Sequence, residues 1–108
     1  MTSSRTLWAA TSDGTVRLAS KGATQLCDLQ LLNGVAAITY LQLFNAQSAA
    51  DVTLGTTVPD KVLVVPASVG VFFTFPNPAE FPRGLCYATT TTSTGSTGAA
   101  CSISFDLA

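Results

Sequence analysis

The side chains that carry most enzyme chemistry are sparse in this chain and scattered along it. Histidine is absent, which removes Ser–His and Cys–His nucleophilic pairs, imidazole bases and most zinc and iron sites together. The carboxylates Asp13, Asp28, Asp51, Asp60, Glu80 and Asp106 stand singly. A glycosidase-type dyad needs two of them in one cleft with their pKa values pushed apart. Asp13 and Asp60 sit beside turn-forming residues and Glu80 in a proline-rich loop, ordinary places for a solvated acid, so no catalytic dyad is expected. The cysteines, Cys27, Cys86 and Cys101, are odd in number and lack a Cys-x-x-Cys spacing, so neither a zinc knuckle nor a disulfide framework is indicated. Cys86 and Cys101 flank a Thr/Ser/Gly turn. If their strands pair as a hairpin, a disulfide becomes geometrically accessible at a Cβ separation of about 3.8 Å; otherwise both are small buried hydrophobes, the favoured reading. A thiol nucleophile needs an electropositive setting, and only Arg83 lies close in sequence to Cys86. No glycine-rich phosphate loop is present, and five cations form no basic stripe. The expectation is a chain with no enzymatic role, no cofactor, no metal and no nucleic-acid partner.

Composition points the same way. Apolar residues make up 47% and charged residues 10%, with a formal net charge of -1, against about 25% charged in an ordinary soluble domain. Such a surface is solvated by Thr, Ser, Asn and Gln and repels its own copies weakly, which favours life in contact with other chains. No run approaches the roughly 18 apolar residues of a membrane span. The opening MTSSRTLWAATSDG lacks the apolar stretch of a secretory signal, so synthesis in a bacterial-type cytoplasm is expected.

The elements that must position these residues read as strands. Cys101, Ile103, Phe105 and Leu107 alternate with Ser102, Ser104 and Asp106, giving one apolar and one polar face. Residues 7–11 and 15–19 flank Asp13-Gly14, and 25–32 and 37–45 flank Asn33-Gly34, both dipeptides suited to tight hairpin turns. Residues 61–65, 71–75 and 84–91 complete the set. Pro59, Pro66, Pro76, Pro78 and Pro82 each lack a backbone donor, so the sheet must be interrupted or edge-like near them. Helical leaning is confined to 46–51, too short to nucleate alone. Short strands with turn signals at this spacing predict an all-β, single-domain β-sandwich over residues 1–108, jelly-roll-like, of about seven or eight strands.

Two groups of residues stand out as contact candidates. Phe72, Phe73, Phe75 and Phe81 crowd around Pro76, Pro78 and Pro82; on a strand Phe73 and Phe75 share one face and Phe72 takes the other. They pack either in the core or at a subunit interface, where aromatics are enriched. Thr89, Thr91 and Thr94 belong to a hydroxyl-rich run that reads first as a hairpin with a wet face and second as a surface docking on a sugar or a neighbouring subunit.

Tyr40-Leu41-Gln42-Leu43-Phe44-Asn45-Ala46, then Leu54-Gly55-Thr56-Thr57-Val58-Pro59, then Val64-Val65-Pro66-Ala67 with Gly70, followed by an F-x-x-G-L-x-x-A-x-T-T element beginning at Phe81, resembles small structural proteins of tailed bacteriophages. The resemblance spans roughly 38–92 and departs from that pattern at TSTGSTGA, which begins at Thr92. It implies a β-sandwich that decorates or cements the virion head, a homotrimer bound to the major capsid protein or to other virion proteins, and localisation in the virion. A tail, neck or baseplate component is the alternative within that class. A carbohydrate-binding sandwich is the alternative outside it, although Trp8, Tyr40 and Tyr87 are too dispersed to form one sugar platform.

Overall fold

The computed structural model describes residues 5–107, with side chains from Ser12 onward. Eight strands follow one another along the chain: β1 (Arg5–Ser12), β2 (Arg17–Lys21), β3 (Thr24–Leu32), β4 (Thr39–Asn45), β5 (Lys61–Val65), β6 (Gly70–Phe81), β7 (Gly84–Thr90) and β8 (Cys101–Leu107). A short 3-10 turn, Ala49–Asp51, lies between β4 and β5, so the helical leaning of 46–51 is realised only as that turn. The strands form two four-stranded antiparallel sheets, sheet A in the order β1-β8-β3-β6 and sheet B in the order β2-β7-β4-β5. The first strand pairs with the last, the second with the seventh, the third with the sixth and the fourth with the fifth. The chain is thus one long hairpin wrapped over itself, and the contacts of β3 with β8 and of β4 with β7 close the wrap. This is jelly-roll connectivity, in which two sheets enclose a common core.

Three expected hairpins are corrected by this topology. β1 and β2 lie in different sheets, as do β3 and β4, and β7 and β8, so each connection crosses the sandwich. Gly14 is absent from the positive-φ glycines, which are Gly22, Gly55 and Gly84. It is required for a close approach instead: a Cβ there would sit 2.8 Å from the Cα of Gly98. Asp13 organises the crossing by accepting the Thr15 N–H at 2.9 Å, while its carbonyl accepts the Thr89 N–H at 2.9 Å. At the second crossing the turn is built by a side chain. Asn33 is 1% exposed; its Nδ2 donates to the carbonyls of Ala37 at 3.0 Å and Pro66 at 2.9 Å, and its Oδ1 accepts the Val35 N–H at 2.9 Å. A buried amide satisfied in this way replaces the backbone geometry that Asn-Gly normally signals.

Alternation builds the core. Leu26, Leu29 and Leu31 of β3, Leu41 and Leu43 of β4, Leu85 and Tyr87 of β7, and Ile103, Phe105 and Leu107 of β8 point between the sheets. The Tyr87 and Phe105 rings meet across the gap, their centroids 4.8 Å apart. Leu26 and Leu29 would fall on opposite faces of a regular strand, but a register shift between Leu26 and Asp28 restores the phase. β6 is an edge strand, and Phe75, Pro76, Asn77 and Pro78 fall between its two paired segments, which is where prolines can omit their donors.

The two outer faces differ. On sheet B, Phe44 and Cys86 gather Ala46 and Val52 into a second apolar cluster, with Val16 and Leu54 packed against it. Segment 46–60 closes over this cluster, and Ser48 Oγ caps its 3-10 turn by accepting the Ala50 N–H at 3.2 Å. Segment 91–100 closes over the rest: Gln42 donates to Thr90 Oγ1 at 2.7 Å and to the Gly95 carbonyl at 3.1 Å. β7, central in its sheet and covered on both sides, is buried along its whole length. Sheet A, in contrast, presents its outer face to solvent between β3, β6 and the polar side of β8.

Candidate interaction surface

The chemistry-bearing residues occupy distinct settings. Asp13 pairs with Arg17 at 3.3 Å; its carboxyl is held below the usual range first by the Thr15 N–H and then by the Arg17 charge. Asp60 Oδ2 accepts the Asn45 N–H at 2.6 Å, and Glu80 is exposed near the end of β6. Asp28 and Asp106, by contrast, are directly opposed across β3 and β8. The scatter of carboxylates along the sequence conceals this pair, because only the wrapped topology sets β8 beside β3. Both residues are partly buried, and Asp106 Oδ1 is shielded with no hydrogen-bond partner. Burial, and then the Asp106 charge, push the Asp28 carboxyl above its ordinary range. Among the described residues, no three His, Cys, Asp or Glu side chains group as metal ligands would.

The cysteines do not meet. Cys86 belongs to the outer cluster of sheet B, and Cys101 faces the core from sheet A. Both are reduced thiols, so the candidate Cys86–Cys101 bridge is absent and the buried-hydrophobe reading describes them. Cys101 Sγ lies 3.8 Å from Asn33 Oδ1, and Cys86 Sγ lies 3.6 Å from the Ala46 carbonyl. Burial pushes both thiols up, away from the thiolate that nucleophilic chemistry requires.

The aromatic candidates divide. Phe81 is 2% exposed and belongs to the core, so in the folded chain it is no interface residue; its inward phase on β6 puts it there. Phe73 and Phe75 are half-buried and pack against the same core, with Lys61 Nζ 5.8 Å above the Phe75 ring. Phe72 points outward and is 64% exposed, so the expected division of Phe73 and Phe75 from Phe72 is the observed one. The threonines divide too. Thr89 is fully buried; its hydroxyl donates to the Ala99 carbonyl at 2.6 Å and shares a hydrogen bond with Ser12 Oγ at 3.1 Å. It fastens the β7–β8 crossing and offers nothing to a partner. Thr91 and Thr94 are exposed on the loop that covers sheet B.

The open face of sheet A sets exposed apolar side chains beside the acid pair. Its register sets Thr74, Asp28 and Asp106 in one row, Phe72, Gln30 and Ser104 in the next, and Gly70, Leu32 and Ser102 in the third. On β1 the same ladder continues with Thr6 opposite Asp106 and Trp8 opposite Ser104. Rows two residues apart are about 6.7 Å from one another, and strands about 4.8 Å. Phe72 thus stands within one long side chain of the carboxylate pair. Leu32, 57% exposed, extends the apolar part. Sequence reasoning identified Phe72 but missed Leu32, Asp28 and Asp106, because their common face depends on the bulge after Leu26 and on non-local pairing. No protein-family model matches the chain, and no curated protein matches it either.

Proposed function

We propose that this chain is a structural subunit of a bacteriophage virion, a cement protein that decorates the head shell as a homo-oligomer, with a trimer as the expected assembly. The observation that carries this reading is the asymmetry of the sandwich: the chain's own loops fold over the outer face of sheet B, leaving Val58, Val64 and Leu18 exposed at that side, whereas the outer face of sheet A has no such cover and exposes Phe72 at 64% and Leu32 at 57% beside half-buried polar groups. Aromatic and aliphatic residues exposed together on a flat sheet mark a surface that another protein covers. The jelly roll is a frequent architecture of viral shells, although lectin domains and cupins share it, so the fold supports the reading without selecting it. The low charge and the resemblance of 38–92 to phage structural proteins add to it. The work done is mechanical. Subunits repeated over a shell bury surface against their neighbours, and binding to the assembled state alone stabilises that state by mass action. The reading assigns the chain no catalysis and no cofactor.

Shells assembled without the chain and then incubated with it provide the test, with bound copies counted by cryo-electron microscopy. The expected outcome is regular occupancy at symmetry-related sites, reduced at least about tenfold in affinity by Phe72→Ser, the loss associated with an interface hot spot. Density confined to the tail would move the subunit to the tail-component alternative. Absence of the chain from every part of the particle would overturn the virion reading.

A further inference from the structure

Four of the charged side chains whose positions are described, Asp13, Arg17, Asp60 and Lys61, have a partner within the chain. Arg17 has Asp13 at 3.3 Å, Lys61 has the Phe75 ring at 5.8 Å, and Asp60 has the Asn45 N–H at 2.6 Å. Asp28 and Asp106 face each other with no ion pair among the described residues, and Asp106 Oδ1 has no donor among them. Like charges directly opposed in a ladder weaken it, and a carboxylate that loses water without gaining a donor is destabilised further. On a different surface, two solvated cations have no ion pair among the described residues. Lys21 ends β2 and Arg83 lies in the β6–β7 turn, both exposed. They are held side by side because Lys21 is in register with Gly84 and the Gly22 N–H donates to the Arg83 carbonyl at 3.2 Å. Exposed Ala23 and Pro82 flank them.

We infer that the open face of sheet A is the docking site for a second copy of this chain, whose Lys21 and Arg83 reach the Asp28–Asp106 pair. The charges match two for two between surfaces that do not meet within one molecule. A guanidinium or ammonium supplies a donor to the orphaned Asp106 Oδ1 and a countercharge to the pair, and charge-assisted hydrogen bonds of this kind are among the stronger ones. Ala23 and Pro82 of the incoming copy give Phe72 and Leu32 apolar surface to cover. Direct apposition of two acid faces would set acid against acid, so the acid face meets the cationic corner of the next copy, and in the trimer proposed above that contact is heterologous and closes as a ring. The inference rests on the reading of the chain as a self-assembling subunit, and it names the surfaces by which it does so.

Sedimentation velocity on the full chain over a concentration series tests it. The wild type is expected to form a closed oligomer that weakens as salt is raised, since exposed charges are screened. Asp28→Asn and Arg83→Glu should each raise the dissociation constant at least about tenfold. The Arg83 backbone contacts, a carbonyl acceptor to Gly22 and an N–H donor to Asn45 Oδ1 at 2.8 Å, do not involve its side chain, so the second variant keeps the fold. In the double variant the two losses should combine to less than their sum, the signature of groups in contact. A wild-type chain that stays monomeric at about 100 μM, an unchanged dissociation constant in either variant, or strict additivity would overturn the inference. Shell binding measured in parallel separates this from the virion reading. Monomeric variants that still occupy shells leave that reading standing, and a wild-type oligomer that never binds particles removes it while the docking contact survives.

Discussion

Removing one charge from the sheet A acid pair should make the isolated domain more stable, an uncommon direction for a substitution. Asp28 and Asp106 occupy directly opposed positions of an antiparallel ladder, where Cβ atoms are about 4.5–5.5 Å apart. Two unit charges about 5.5 Å apart repel by about 3 kcal/mol at an effective dielectric of about 20 and by about 0.8 kcal/mol in bulk water. Both side chains keep some contact with solvent, so the working value lies toward the lower end, about 1 kcal/mol. Asp28→Asn keeps the shape, removes the repulsion and adds an amide that can donate to the orphaned Asp106 Oδ1. For a domain of this size, about 1 kcal/mol raises the melting temperature by roughly 4–8 °C. The pH dependence identifies the cause. The folded-state pKa of Asp28 is raised, so the folded chain binds that proton more tightly than the unfolded chain does. The contribution of this group therefore favours folding on the acid side and is lost as pH rises through the folded pKa. The advantage of Asp28→Asn should be full at pH 7 and should shrink toward the unfolded carboxyl pKa of about 4. Thermal melts of dilute, monomeric protein at both pH values provide the measurement. A destabilised variant, or a gain that does not change with pH, would refute the electrostatic account.

Three further outcomes follow from the packing. Phe81→Ala should cost about 3–5 kcal/mol, the loss expected for a fully buried phenylalanine, and lower the urea midpoint by about 2 M or more; a change within about 0.5 kcal/mol would remove Phe81 from the core. Gly84→Ala should cost about 2 kcal/mol or more, because Gly84 has φ +144° and a Cβ there would lie 2.6 Å from the Ala46 carbonyl oxygen and 2.7 Å from that of Ser20; wild-type stability in that variant would sink the close-approach account. Cys86 and Cys101 should react with an aromatic disulfide reagent at least about a hundredfold more slowly in the native state than in urea, since the reaction waits for an opening of the fold; non-reducing mass spectrometry that finds them joined would contradict the sheet assignment of both strands.

The local part of the fold is legible in the sequence, and the non-local part is not. Period-two alternation in β8 and the β-branched run of β5 depend on neighbours two residues apart, and those strands lie where the pattern predicts; β6 is a correction, since it does not stop at 71–75 but runs through Pro76 and Pro78 to Phe81, taking up the expected proline-rich loop. The prolines correctly mark β6 as an edge. Strand partners, however, are chosen by which apolar faces can be buried together, and sequence neighbours need not share a sheet. Asp13-Gly14 and Asn33-Gly34 have hairpin composition, yet both serve crossings. Asp13 and Asn33 act through their side chains, and Gly14 acts by letting Gly98 approach. Phe81 and Phe72 have the same residue type in the same strand with opposite fates, because their odd separation puts them on opposite faces and the inward phase runs unbroken from Phe73 to Phe81. The Asp28–Asp106 pair was beyond reach, since it needs both the β3–β8 pairing and the shift after Leu26.

The loops, more than the strands, decide what this sandwich offers to other molecules. Segments 46–60 and 91–100 both fold over sheet B, and they touch where Gly55 approaches Ser96, a contact of 3.5 Å for an added Cβ. The hydroxyl-rich run that reads as surface is thereby divided. Thr89 and Thr90 are fully buried and fasten the covering loop, leaving Thr91 and Thr94 exposed on its outside. Phe72 and Leu32 remain on the opposite side of the molecule, with the acid pair next to them. The candidate contact residues that survive folding thus fall on two opposed surfaces, one apolar and acidic, the other carrying the uncharged, hydroxyl-bearing loop 91–100. Under the proposed reading that division has a use. A subunit that holds neighbours together needs at least two contact surfaces of different chemistry, so that its copies associate in one orientation and not face to face. The acid pair enforces that choice on sheet A, and the uncharged loop over sheet B leaves the other surface free to form hydrogen bonds with a shell that stays partly wet.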